Sequence, residues 1–236
     1  MQSPAETILT HLETVEHERR RRKTSAALHA RVQALKAYQQ RRFAHTYADL
    51  LAAPRYAAAA SFFLDELYGP SDFSQRDAQF ARVVPALVRL FPRDVVVTVA
   101  TLAELHALSE RLDSAMAAEL TDANIEAAGY VNAWRTVGHM EERQRQVSLT
   151  LRVGEDLDRL TRKPLLRHSL RMMRGPARAA GLSALQAFLE SGFDTFLAMR
   201  GAREFLATVS AREQALLDSL FGSESAAKVQ ALGQLP

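Results

Sequence analysis

His168 and Met172 are the residues of this sequence whose chemistry best suits a cofactor. They lie in the segment LLRHSLRMM, where one histidine stands among leucines and methionines. An apolar helix that carries a histidine can supply an axial ligand to haem iron. The structural alternative is a partly buried histidine bonded to a carbonyl, with methionines filling a gap in the core. We favour that alternative, and retain His168 and Met172 as cofactor-binding candidates for haem.

A second group of polar residues surrounds a predicted turn at Gly69-Pro70. Its members are Asp65, Tyr68, Asp72, Arg76 and Asp77. These side chains could form a polar pocket where two helices meet. The structural alternative is that Asp72, Ser74 and Asp77 satisfy exposed amides after the turn, with Ser74 and Asp77 as a capping signature, while Arg76 bridges a carboxylate. We favour the structural interpretation of this group, which we call the polar junction cluster.

Five consecutive basic residues form the strongest charge feature of the chain: Arg19, Arg20, Arg21, Arg22 and Lys23. On a helix, consecutive residues point around the whole cylinder, so this basic patch does not make a single stripe. Acidic residues at Glu13, Glu16 and Glu18 partly neutralise it. A nucleic-acid site needs aligned basic residues with aromatic residues or a recognition helix nearby. The sequence therefore favours a solvated patch over nucleic-acid binding.

The usual signatures of catalytic and metal sites do not occur in the sequence. The chain has no cysteine, which excludes disulfides, thiolate catalysis and cysteine-ligated metal sites. A di-iron carboxylate site needs Glu-x-x-His on two helices, and no glutamate here is followed by histidine three residues later. Gly-x-Ser-x-Gly, Walker and Gly-x-Gly-x-x-Gly motifs are also missing. We expect no metal site and no catalytic residues, and we favour a non-enzymatic protein.

The elements that must position these residues are helices. Ser3-Pro4-Ala5-Glu6 has the features of a capped helix start, with serine as the cap and glutamate completing a capping box. Apolar residues then recur at helical spacing, and nothing breaks the pattern before Pro54. The pattern predicts one long N-terminal helix, or two helices with a joint near residues 20–25.

Helical periodicity continues beyond this segment. The residues from Val95 to Val99 are largely β-branched and locally prefer strand, but the flanking periodicity favours helix. Thr121 and Asp122 are expected to cap a helix that ends near Val137. A soft interruption is expected at Gly154.

No internal repeat and no long linker divides the chain. We therefore predict an all-α, single-domain helical bundle of about eight helices over residues 1–222. Within it, residues 1–53 form a long N-terminal helical arm, and residues 223–236 form a frayed tail. Aromatic residues make up only 7% of the chain, which is rich in alanine and leucine, and this composition favours helix packing.

Composition also bounds the location and partners of the chain. No window approaches the roughly 18 uninterrupted apolar residues of a membrane span. The N-terminal segment is amphipathic and carries acidic residues early, unlike a signal peptide. We therefore expect a cytoplasmic protein with no membrane span. A net charge of +3 is a weak argument for a polyanionic partner.

Two segments of the chain resemble a family of uncharacterised bacterial all-helical proteins. The first is FFLDELYGPSDFSQRD, from Phe62 to Asp77. The second runs from Arg174 through Phe193 to Val209. Together they suggest a resemblance over most of the chain. It implies a bacterial origin and a helical fold, and it assigns no activity and no catalytic residues.

Three functional hypotheses remain open from the sequence. The first is a non-enzymatic interaction or scaffold protein that binds a protein partner or forms a homodimer through its N-terminal helix. The second is a small-molecule or haem-binding protein with its pocket near Tyr68, Arg76, His168 and Met172. The third is a weak binder of nucleic acid or of an anionic surface.

Overall fold

The computed structural model describes residues 3–66, 71–222 and 232–236, and these residues form helices and no strand. The prediction of an all-α fold is confirmed. The helices are α1 (Pro4–Lys23), α2 (Ala26–Thr46), α3 (Ala48–Ala52), α4 (Ala57–Glu66), α5 (Ser74–Leu90), α6 (Arg93–Glu119), α7 (Ala127–Val137), α8 (Met140–Thr161), α9 (Pro164–Met172), α10 (Arg174–Ala179), α11 (Ser183–Ala198) and α12 (Arg203–Phe221). They outnumber the eight or so expected because short breaks, as at Tyr47 and Met173, divide longer helical patterns.

The N-terminal helical pattern is divided between α1 and α2. α1 begins as predicted, because Ser3 Oγ accepts a hydrogen bond from the backbone N–H of Glu6 at 3.2 Å. The Glu6 carboxylate accepts one in return from Ser3 N at 2.7 Å, which completes the capping box. The helix ends at Lys23 with Thr24 as its C-cap residue, and Ser25 caps α2 by accepting from the N–H of Leu28 at 3.3 Å. The joint therefore lies where the sequence allowed two helices.

The long helix α6 is the element around which the N-terminal half packs. It contacts α1, α2, α5, α7 and α8. Ile8 and Leu12 of α1 are buried in a cluster with Val84 of α5 and Val96 of α6. The apolar stripe of α1 therefore packs against other helices of the same chain. The β-branched start of α6 is helical, which confirms the preference for helix there.

The C-terminal half packs on the opposite side of α8, which contacts both α11 and α12. The interruption expected at Gly154 is wrong, because α8 continues through this residue. A Cβ atom at Gly154 would lie 2.5 Å from Leu206 Cδ2 on α12. Glycine here leaves room for the Leu206 side chain, so it serves packing between the two helices and does not break α8.

The expected start of the helix before Val137 is also wrong. α7 begins at Ala127, with Glu126 as its N-cap residue and no side-chain cap. Asp122 instead accepts a hydrogen bond from the backbone N–H of Asn124 at 2.6 Å, which closes a local turn. An Asp can serve either role, and the sequence does not distinguish them.

The end of the chain returns to the core. Leu235 is buried in an apolar cluster that also contains Leu216, Leu217 and Leu220 of α12. The remainder of the tail prediction, at residues 223–231, lies outside the described residues. The division into a domain at residues 1–222, an arm at residues 1–53 and a tail stays a prediction. Among the described residues, no helix combines the length and the apolar character that a bilayer crossing requires.

Candidate functional site

An internal cavity of about 180 Å³ lies where α2, α6, α8 and α12 meet, and α4, α5, α7 and α11 also contribute to its wall. Much of the wall is aliphatic or aromatic, including Phe63, Phe80, Leu102 and Phe188. Acidic and basic side chains from six helices also line it: Lys36, Arg42, Glu66, Arg76, Asp77, His106, Glu110, Asp113, Arg143 and Glu213. Charges are rarely buried unless they are paired, so their partners decide what the cavity can do.

Glu110, on the inward face of α6, is the acidic centre of one ion-pair group. Its carboxylate accepts hydrogen bonds from Arg22 of α1 and from Lys36 of α2, the latter at 2.6 Å. Arg22 also donates to Ser114 Oγ at 2.8 Å. Burial by itself would raise the pKa of Glu110, but the charges of Lys36 and Arg22 outweigh it and lower the pKa to about 2. This group joins three helices.

Asp77, on α5, is the acidic centre of a second group. It accepts from Arg19 at 2.6 Å and from His106 Nε2 at 2.8 Å, and Arg76 Nε lies 3.3 Å away. Because a carboxylate only accepts, Nε2 of His106 carries the proton in this contact. Burial opposes ionisation, but His106, Arg76 and Arg19 together hold the pKa of Asp77 well below its usual value.

The His106–Asp77 pair resembles part of a general-base arrangement. A base of this kind needs a nucleophile or a substrate proton within hydrogen-bond reach. No hydroxyl of the described residues is hydrogen bonded to His106. Within the described part of the chain, no group of three or more His, Asp or Glu residues is arranged to hold a metal ion. Among the described residues, the pair therefore has no hydrogen bond to a hydroxyl that could act as its nucleophile.

Arg143 differs from the other buried cations of the cavity. Only 2% of the residue is exposed, and its guanidinium lies over the Trp134 ring with Cζ 3.9 Å from the centroid. Nη1 makes a long hydrogen bond of 3.4 Å to Gln146 Oε1. Nε and Nη2 are buried and have no hydrogen-bond partner among the described residues, and no described carboxylate forms an ion pair with Arg143. Burial lowers the pKa of this guanidinium.

Asp113 and Glu213 complete the polar wall. Asp113 accepts from Gln39 Nε2 at 3.0 Å, and burial raises the pKa of its carboxyl despite the opposing charge of Lys36. Glu213 accepts from Arg42 and from the Tyr47 hydroxyl, the latter at 2.7 Å. Glu213 is thus engaged by two donors, whereas Asp113 has one.

The polar junction cluster is only partly assembled. Arg76 and Asp77 line the cavity, and the Arg76 guanidinium lies between two rings, 4.1 Å from Phe73 and 4.4 Å from Phe188. Asp65 and Asp72 are exposed away from them, and Asp72 accepts from the backbone N–H of Ser74 at 2.9 Å. Tyr68 lies outside the described residues.

The capping role expected for Ser74 and Asp77 is wrong. α5 begins at Ser74, and its N-cap residue Phe73 makes no side-chain cap; only the role expected for Asp72 is confirmed, since Asp72 accepts from the N–H of Ser74. Asp77 points inward to Arg19 and His106 instead. The three-residue spacing of serine and aspartate matches a capping box, but the buried cations compete for the carboxylate more strongly than one backbone amide does.

The basic patch of residues 19–23 is divided by the helix, as the one-residue spacing required. Arg20, Arg21 and Lys23 are exposed, whereas Arg19 and Arg22 turn inward to Asp77 and Glu110. The solvated patch expected from the sequence therefore consists of three of its five residues. The other two link α1 to α5 and α6.

His168 and Met172 lie on α9, which has no buried residue. His168 is exposed, Met172 is 66% exposed, and neither lines the cavity. The structure therefore does not bring them together with Arg76. α9 separates its apolar from its basic residues, as a surface helix does. Over only nine residues, the sequence pattern of such a helix does not differ from that of a partly buried one, which is why the sequence makes His168 a candidate.

The most informative residues of the cavity, Glu110, Asp113 and Arg143, are not apparent from any motif. One signal was present. Glu110 and Asp113 interrupt the apolar stripe of α6 between Leu108 and Met116, on a face that periodicity assigns to the core. A charge on the apolar face of a long helix predicts a buried partner, but the sequence does not say which arginine or lysine supplies it.

Comparison with known families gives one match. The family described as a domain of unknown function (DUF8198) matches residues 18–227, which include every charged residue of the cavity wall. No curated protein and no solved structure is similar enough to the chain to match it. The extent of the family match, which is nearly the whole chain, establishes that this protein belongs to the DUF8198 family.

Proposed function

We propose that this protein binds a small molecule in its internal cavity. The observation that carries the proposal is a cavity of about 180 Å³ with a mostly apolar wall and a few converging charged groups. Small-molecule sites have this composition. A cavity of about 150 Å³ in a protein core is sufficient to hold benzene. The cavity therefore has room for a compact ligand built around one ring or a short chain.

The polar groups of the wall support binding of a specific ligand rather than of any apolar molecule. Side chains that only stabilised the fold would be expected to pair completely, because an unpaired buried charge costs several kcal/mol. Glu110, Asp77 and Glu213 follow that expectation. Arg143 does not. A buried donor that the chain leaves unfilled is a feature of binding sites, where the ligand supplies the missing partner.

This proposal keeps the small-molecule hypothesis drawn from the sequence but places the binding site in the internal cavity instead of beside α9. Arg76 remains part of the wall, whereas His168 and Met172 do not, so the haem alternative has no support from the cavity. Self-association through the N-terminal helix also loses its motivation, because α1 packs its apolar stripe against α5 and α6. Homodimer formation, a protein partner, a bacterial origin and a cytoplasmic location stay predictions.

A cavity-filling substitution tests the proposal. Ala103 lines the cavity on α6, and Ala103→Leu adds three carbon atoms there. We expect isothermal calorimetry of the wild-type protein with nitrobenzene, a neutral single-ring probe, to show one saturable site. The variant should raise the dissociation constant at least about tenfold, because the probe and the new side chain compete for the same volume.

Ala118→Leu is the matched control, since Ala118 is exposed on the same helix and does not line the cavity. It should leave nitrobenzene binding unchanged. If the wild-type protein showed no saturable binding, or if Ala103→Leu bound nitrobenzene as tightly as the wild type, the cavity would not be the binding site.

A second candidate function, binding to an anionic membrane surface, is favoured by α9 and its surroundings. Leu165 is 80% exposed and Met172 is 66% exposed on this short helix. Residues 159–189 contain seven basic residues and no acidic one. Arg171 and Arg178 are exposed and form no ion pair with a described residue. A helix with exposed apolar residues beside basic ones suits the interface of a bilayer that contains anionic lipids.

Vesicle co-sedimentation tests this second candidate. We expect the protein to bind phosphatidylglycerol vesicles more strongly than phosphatidylcholine vesicles, and the double variant Leu165→Gln/Arg171→Gln to lose most of that preference. Arg152→Gln is the control, because Arg152 is exposed on α8 outside the α9 surface. Equal binding to the two lipids, or equal binding by the double variant and the wild type, would remove the candidate.

A further inference from the structure

The two nitrogens of Arg143 that have no hydrogen-bond partner in the described part of the chain lie on one edge of its guanidinium group. In a guanidinium group, Nη1 lies on the side of Cδ, so Nε and Nη2 share the opposite edge. These two nitrogens, and not Nη1, are the ones without hydrogen-bond partners among the described residues. They present two parallel N–H bonds along one edge. That is the spacing at which an arginine binds the two oxygens of a single carboxylate.

Arg143 has no ion-pair partner among the described residues, because the acidic groups near it are engaged elsewhere or act only through their charge. Lys36 is paired with Glu110 at 2.6 Å, and Arg42 is paired with Glu213. Asp113 acts on Arg143 through its charge, but it accepts its hydrogen bond from Gln39 and forms no ion pair with Arg143. Glu142, the adjacent residue, is engaged by Arg111 at 2.7 Å. An anion held against the Nε–Nη2 edge would therefore pair with a cation that has no ion-pair partner among the described residues.

We propose that the cavity binds a small carboxylate with an apolar or aromatic body, and that Arg143 holds its carboxylate through Nε and Nη2. This inference rests on the proposed function and specifies the ligand class. The Trp134 ring under the guanidinium fixes the plane in which the carboxylate lies. The apolar wall, which includes Phe63, Leu102 and Phe188, receives the body of the ligand.

A monoanion fits this wall better than a phosphate ester does. The same region of the wall contains Glu110 and Glu213, whose carboxylates would repel a second negative charge on the ligand. A volume of about 180 Å³ also leaves little space for a tetrahedral group together with an organic body. Arg143 loses its hydration when the protein folds. The free energy of binding therefore includes the dehydration of the carboxylate but not that of the guanidinium.

The test compares benzoate with nitrobenzene, because the two have nearly the same shape and differ in charge. We expect the wild-type protein to bind benzoate at least about tenfold more tightly than nitrobenzene in calorimetric titrations. Arg143→Met should remove that preference and keep nitrobenzene binding. Arg143→Lys should keep part of the preference, because it retains a charge without the two-pronged edge.

Arg145→Met provides the matched control, since Arg145 lies two residues along α8 with a mostly exposed side chain that pairs with Glu104. It should leave both titrations unchanged. If nitrobenzene binds but benzoate has no advantage, or if the advantage survives Arg143→Met, the carboxylate assignment is wrong while the cavity remains a binding site. If neither probe binds, the proposed function fails with it. Inorganic phosphate at equal concentration should not displace benzoate.

Discussion

Replacing Glu110 by glutamine is expected to lower the free energy of unfolding by about 3 to 5 kcal/mol. The substitution preserves the shape of the side chain and removes its charge. Arg22 and Lys36 would then be left beside a neutral amide, and Arg22 is only 4% exposed. Buried cations without an anion are costly because water cannot solvate them. The change is measured by urea unfolding, with the helix content followed by far-ultraviolet circular dichroism.

Glu104→Gln is the appropriate comparison. Glu104 is on the same helix and pairs with Arg145, whose side chain is 59% exposed. Ion pairs at the surface contribute about 0 to 1 kcal/mol, so this variant should unfold close to the wild type. Equal losses in the two variants would mean that the contact of Glu110 with α1 and α2 contributes no more than a surface pair.

Arg143→Met is expected to change stability in the opposite direction and to raise the free energy of unfolding by about 1 to 3 kcal/mol. The substitution removes a buried charge that no described carboxylate pairs with. It forfeits the cation–π contact with Trp134 and the long hydrogen bond to Gln146, but a methionine side chain still packs against the indole ring. The removed cost of burying the guanidinium exceeds these losses.

Arg145→Met controls for the general effect of exchanging arginine for methionine on α8, and its stability should differ little from that of the wild type. Urea midpoints of the three proteins, without added ligand, are sufficient for the comparison. A loss of stability in Arg143→Met would contradict the view that Arg143 is retained for binding, because it would show that the fold itself depends on this cation.

The predicted changes in unfolding free energy have opposite signs because Glu110 and Arg143 differ in how their charges are paired. Where the chain needs to join helices, it pairs each buried charge, as Glu110 does with residues of α1 and α2. Arg143 has no such partner among the described residues, and we propose that a ligand supplies it. Stability lost at a binding site is common in proteins, because a site shaped for a ligand is incomplete without it.

The helical fold could be predicted because its signals are local. The capping box at Ser3 and Glu6 and the apolar spacing of Ile8 and Leu12 act within one or two turns, and the structure contains both. Boundaries were less predictable where one residue type serves two purposes. Asp122 closes a turn rather than capping α7, and Gly154 permits close packing rather than ending α8.

The site could not be predicted in the same way because its contacts are remote in sequence. Arg22 and Glu110 belong to different helices, and the run of residues 19–23 gives no sign of which arginine turns inward. Arg143 is one of many arginines in the chain, and only its burial over Trp134 distinguishes it. Conversely, the histidine of α9 stood out in the sequence because of its apolar neighbours, and those neighbours lie at the surface.

The position of a bound probe tests the central claim most directly. Nitrobenzene should show intermolecular nuclear Overhauser effects to the methyl groups of Leu102, Val147 and Val209, which line the cavity on α6, α8 and α12. Leu165, exposed on α9, serves as the reference for surface binding. Contacts to the three cavity methyls and none to Leu165 are the predicted result. Contacts confined to Leu165 or to other exposed methyls would contradict binding in the cavity.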